Sequence, residues 1–104
     1  LVVLTRPRDY VKGPMPASVG ALLRTAYRQF PSVFEGVARR PDRYNAGRRL
    51  LFELEERGQA YVFAPDNLWI NNTESRRERL EATYRAGLVQ AVREMPAIKA
   101  FLGL

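Results

Sequence analysis

Pro16-Ala17-Ser18-Val19-Gly20 is the stretch of this sequence that comes nearest to a nucleophile motif. A serine at a strand-to-helix elbow needs small residues on both sides, because that turn is sharp and strained. Here the later Gly is present, Pro stands in place of the earlier one, and the stretch follows a loop and not a strand. Ser18 therefore reads as an N-cap or first-turn helix residue, and Ser32 and Ser75 as helix caps. The chain has neither His nor Cys, which closes imidazole and thiolate chemistry and most zinc sites.

The carboxylates offer no acid–base pair. Glu53, Glu55 and Glu56 crowd one helix beside Arg48, Arg49 and Arg57 and read as surface ion pairing. Asp42 follows a proline and reads as a helix cap. Asp66 is the one acid at the carboxyl end of a strand, where α/β proteins tend to hold ligands, but Pro65-Asp66-Asn67 is turn chemistry in its own right. Asn71-Asn72-Thr73 fits the glycosylation pattern, which carries meaning only in a secreted context.

The run Arg39-Arg40-Pro41-Asp42-Arg43-Tyr44-Asn45-Ala46-Gly47-Arg48-Arg49 holds five arginines and one acid. Guanidinium forks match phosphate oxygens, so Arg6, Arg40 and Arg43, with Tyr44 and Asn45, are candidates for contact with an anion or a lipid headgroup. Tyr44 could stack on a base of a single strand. The same residues have a structural reading: Arg40 and Arg43 capping carbonyls, Tyr44 and Asn45 fixing a helix start. Because Tyr44 lies on the apolar stripe of its helix, the structural reading is the stronger.

These residues need elements to hold them. Leu1-Val2-Val3-Leu4 is apolar and partly β-branched, the pattern of a strand buried on both faces inside a parallel sheet. Arg6 to Pro16 reads as a loop. Ala17 to Phe30 carries a helical stripe, and Pro31 with a capping box at Ser32 to Glu35 restarts a short helix that Pro41 closes. Asp42 to Arg57 reads as a third helix, ended by Gly58 in a left-handed cap. Gln59 to Ala64 is a second strand. A capping box at Ser75 to Glu78 opens a long helix with Leu80, Tyr84, Leu88, Ala91, Val92 and Met95 as its buried stripe, and Pro96 breaks it.

Strand, helices, strand is a crossover, which implies parallel pairing. The fold class is then α/β: a small parallel strand pair with about four helices. Two strands bury little and expose two edges, so the sheet is expected to be a fragment of a larger three-layer α/β protein, or to be completed by another copy. At 104 residues, 46% hydrophobic with eleven aromatics, the chain should fold. The net charge of +6 suits an anionic partner, and no apolar run is long enough to span a bilayer.

Val2-Val3-Leu4-Thr5-Arg6-Pro7 followed by Tyr10 and Lys12, then Arg43-Tyr44-Asn45, then Leu54-Glu55 with Gly58, Ala60 and Pro65, then Tyr84 with Gly87, resembles the C-terminal portion of bacterial patatin-like phospholipases. The resemblance rests on this series as a whole and runs over nearly the whole chain. In that family a glycine-rich oxyanion loop, a Gly-x-Ser-x-Gly nucleophile and an Asp-Gly-Gly or Asp-Gly-Ala site form a Ser-Asp dyad that hydrolyses acyl esters of lipids. None of those motifs is in this sequence. The resemblance implies that residues 1–104 are a single C-terminal region, with the catalytic part upstream in the same polypeptide.

It implies further that no catalytic residue, metal or cofactor belongs to this region. The expected partners are that upstream catalytic domain, a lipid or anionic membrane surface, and a second copy of the chain. The expected location is cytoplasmic, peripheral at the inner membrane. The alternative from a different class is a stand-alone basic module that binds nucleic acid or a protein; nucleic acid ranks below the other partners.

Overall fold

The computed structural model describes residues 1–104, and 59% of them are helical. The elements run β1 (Val2–Val3), α1 (Ala17–Ala26), α2 (Pro31–Ala38), α3 (Arg40–Glu56), β2 (Val62–Phe63) and α4 (Arg77–Leu102). β1 and β2 pair in parallel, with Val2 opposite Val62 and Val3 opposite Phe63. The expected order of elements and the parallel sense are therefore present. No helix is long and apolar enough to cross a membrane.

The chain divides into two compact units, one of Leu1–Tyr10 with Leu54–Leu104, the other of Val11–Glu53. In the first, the strand pair is joined by Val2 N–H to the Tyr61 carbonyl at 2.9 Å and Leu4 N–H to the Phe63 carbonyl at 2.8 Å. Val62 and Ala64 are its buried apolar residues, at 1% and 6% exposure. The Tyr61 and Phe101 rings meet at 5.9 Å. In the second unit, the Arg24 guanidinium lies 4.9 Å from the Phe34 ring, joining α1 to α2. Arg48 is buried, 5.9 Å from the Tyr44 ring and 5.4 Å from that of Phe52.

Several expected boundaries differ. α1 stops at Ala26, with Tyr27 N–H on the Leu23 carbonyl, and a turn leads to Phe30. α2 begins at Pro31 and so leaves no capping role to Ser32; a proline in the first turn has no N–H to leave unsatisfied. Pro41 likewise sits in the first turn of α3 and opens that helix. Gly58 is left-handed, as expected, at φ 69°. Its N–H reaches the Glu55 carbonyl and Gln59 N–H reaches Leu54, the paired bonds of a Schellman end.

α4 starts after Arg76, not at a Ser75 cap, and runs unbroken through Pro96 to a left-handed Gly103. Pro96 lacks an N–H for the preceding turn, but Glu94, Met95, Ala97, Lys99 and Ala100 around it are good helix formers. The expected buried stripe of α4 faces outward: Tyr84 is 72% exposed and Val92 67%, with Leu80, Leu88 and Met95 also exposed. The residue that α4 buries is Gln90.

Candidate functional site

The densest polar cluster lies around the free side of β2, and four chain segments build it. Arg8, in the loop after β1, grips Glu55 of α3 through two bonds of 2.6 and 2.7 Å and donates a third, at 2.9 Å, to the Val62 carbonyl. Glu55 accepts Val62 N–H at 3.0 Å. From α4, Gln90 donates to the Ala64 carbonyl at 2.7 Å and accepts Asp66 N–H at 3.0 Å. Glu94 accepts from Gln90 and from the Tyr61 hydroxyl, and Arg93 pairs with Asp66 at 2.8 Å.

The electrostatics follow from these contacts. The Arg8 hydrogen bonds, helped by Val62 N–H, hold the Glu55 carboxyl below its ordinary range, and Glu55 in turn raises Arg8. Burial, then the Glu94 charge, pushes the Tyr61 hydroxyl up. Asp66 and Glu94 raise Arg93. Glu55 is thus held ionised against a cation and a backbone donor, which suits structure and not proton transfer near neutral pH. A cleft of about 310 Å³ opens here, lined by Arg8, Val62, Asp66 and Glu94 among others, and contains no serine, threonine or lysine nucleophile. A second cleft of about 300 Å³, at the carboxyl ends of both strands, is mostly apolar, with Leu4, Phe63, Trp69, Ala86 and Gly87 in its walls.

Of the residues singled out from sequence, Arg6 belongs to the first unit and Arg40, Arg43, Tyr44 and Asn45 to the second. Arg6 donates to Asn72 at 3.2 Å and lies 5.2 Å from the Tyr10 ring. Arg40 and Arg43 are exposed on the first turn of α3. Tyr44 is half-buried, with Lys12 Nζ 5.2 Å from its ring centre and Arg48 beside it. Asn45 closes both polar groups of the Lys12 peptide: its Oδ1 accepts Lys12 N–H at 2.8 Å and its Nδ2 donates to the Lys12 carbonyl at 2.9 Å. Ser18 is an exposed first-turn residue of α1, and no group of three or more acids is placed to hold a metal ion.

The sequence pattern places Glu55 and Arg48 in surface pairing and singles out neither Arg8 nor Gln90. Glu55 instead finds Arg8, 47 residues away, and Arg48 is buried against two rings. The one sequence signal is that Gln90, an uncharged amide, falls at helical spacing from Gly87 and Glu94.

No curated protein and no solved structure matches the chain. A family model described as domain of unknown function DUF6363 matches residues 30–103, the span from the start of α2 to the end of α4.

Proposed function

Because the chain belongs to the DUF6363 family, whose description assigns no role, we propose one from the residues themselves: the chain is the C-terminal supporting region of a patatin-like lipid acyl hydrolase. It carries no dyad of its own and extends the sheet of a larger three-layer α/β protein. The observation that carries this reading is β1, an all-apolar strand in a pair of only two, with Val2 at 36% and Val3 at 64% exposure. Parallel strands of that composition are stable when covered on both faces. The residues of the patatin-like series support the same reading, since Asn45, Glu55 and Gly58 each hold local structure: the Lys12 peptide, the Arg8 fork and the end of α3.

The lipid side of the proposal rests on Val11–Glu53. That unit holds eight of the Lys and Arg residues against Glu35, Asp42 and Glu53, a net +5 of the chain's +6. It also exposes Leu22, Phe30 and Val33. Cations beside apolar side chains suit an anionic bilayer surface, where each basic residue contributes about 1 kcal/mol. The region would sit peripherally at the inner face of the membrane and help present lipid to the upstream site.

Hydrolysis of a short-chain p-nitrophenyl ester tests the reading directly. The product of the complete reading frame should turn over the ester, and residues 1–104 alone should stay at the background rate. Activity in this chain by itself, or in neither protein, would refute it; the second result would favour a basic binding module.

A further inference from the structure

The two edges of the β1–β2 pair are not equivalent. Along β2, the carbonyls of Tyr61 and Phe63 face β1 and accept Val2 and Leu4 N–H. By alternation, the peptide groups of Val62 and Ala64 face the other way, where a third strand would normally pair. Val62 N–H, Val62 C=O and Ala64 C=O are already occupied, as is Asp66 N–H beyond Pro65. Glu55 accepts Val62 N–H, Arg8 donates to Val62 C=O, and Gln90 donates to Ala64 C=O while accepting Asp66 N–H.

Gln90 copies a neighbouring strand in chemical detail. Its side-chain amide offers one N–H and one C=O to the residues on either side of Pro65, as a peptide unit of an adjacent strand would, and Pro65 has no N–H to leave over. The amide is anchored by Glu94 at 2.8 Å and is 5% exposed. A strand arriving at this edge would have to displace Gln90 and open the Arg8–Glu55 fork, leaving the buried Gln90 amide without these partners.

β1 has the opposite character. Val2 and Leu4 direct their N–H groups to β2, so the Val3 peptide N–H and C=O project to the outer edge. Both faces of β1 are exposed and apolar at the same place. We infer that β2 is the terminal strand of its sheet, sealed by Arg8, Glu55 and Gln90, and that β1 takes the next strand, in parallel, from the catalytic region of the same polypeptide. The identity of that strand rests on the proposed function; the assignment of the two edges rests on the hydrogen bonds alone.

Amide hydrogen exchange at Val3 and Val62 tests both parts, read in residues 1–104 and in the product of the complete reading frame. The Val62 amide should exchange slowly in both. The Val3 amide should be fast in the short chain and slower by about 100-fold or more in the long one, a protection that persists on dilution. Val3→Pro, which deletes the outward N–H, should lower the melting temperature of the long protein and leave the short chain within about 2 °C.

Fast Val3 exchange in the long protein would overturn the edge assignment. Protection that disappears on dilution would give the edge to a second copy, and a reading frame beginning at this segment would exclude a strand from the same chain. Ester hydrolysis measured on the same sample separates the two ideas: protection without hydrolysis leaves the edges as assigned and removes the hydrolase, while hydrolysis without protection does the reverse.

Discussion

Asn45 holds one peptide unit, that of Lys12, through both polar atoms of its amide, and not the start of α3. Replacing it with Ala leaves a part-buried N–H and C=O unpaired, so Asn45→Ala should cost about 1–3 kcal/mol in urea unfolding while binding to anionic vesicles stays unchanged. A loss of vesicle binding with unaltered stability would return Asn45 to headgroup contact. Two glutamates add a pH dependence. Glu55 is lowered by Arg8 from an ordinary value of 4.5, and Arg76, through its guanidinium and its N–H, lowers Glu74 to about 2. Both are depressed on folding, so their stabilisation is complete above about pH 4.5 and is lost as pH falls through the depressed values. The melting temperature should therefore fall between pH 4.5 and 2. Glu55→Gln should lower stability at neutral pH by about 1 kcal/mol, the half-exposed Arg8 limiting the effect, and should flatten the acid limb. A carboxyl titration of Glu74 with its midpoint near 4.5 would contradict this account.

At the scale of elements, a serine three residues before a glutamate does not by itself fix a helix start: a proline takes the first turn of α2, and Glu74 holds the start of α4. Ser32 and Ser75 both stand three residues before a glutamate, yet α2 opens on Pro31 and α4 follows Arg76, whose N–H and guanidinium are held by Glu74. Among the ends, Gly58 is legible because glycine takes a left-handed cap without strain, whereas α1 stops short of Phe30 and α4 passes Pro96. Gly58→Ala should accordingly destabilise by about 1 kcal/mol. Pro96 supplies the opposite case. Since α4 continues through it, Pro96→Ala restores a backbone donor and should raise stability by up to about 3 kcal/mol in thermal unfolding. A destabilised Pro96→Ala would mean that the proline bends α4 into a contact it needs. The apolar stripe of α4 had the right period and the wrong face. Periodicity marks a stripe, but Gln90 turns toward β2 for its hydrogen bonds, and Leu88 and Val92 are left exposed.

For the whole molecule, charge and exposed apolar surface point the same way. The excess of cations lies in Val11–Glu53, while the other unit is nearly balanced, at net +1. Binding to vesicles containing phosphatidylglycerol should weaken steeply as salt rises from about 0.05 to 0.5 M, as the screening length contracts. The triple variant Arg39→Glu, Arg40→Glu, Arg43→Glu should reduce it about 100-fold, by the loss of roughly 1 kcal/mol at each position. Salt-independent binding, or an unaffected triple variant, would shift the contact to the apolar residues alone.

The residues alone determined the order of strands and helices, the parallel sense of the pair, the Gly58 stop and the basic excess, because each depends on composition or on neighbours a few positions apart. Tertiary structure decided which polar side chains meet. Asn45 reaches back 33 residues to Lys12, Arg8 forward 47 to Glu55, and Gln90 back 26 to Ala64. Such bonds leave no periodic trace in a sequence: they form where folding removes water from a peptide group and brings one amide or guanidinium within reach. For the same reason only the folded chain distinguishes the sealed edge of β2 from the open edge of β1.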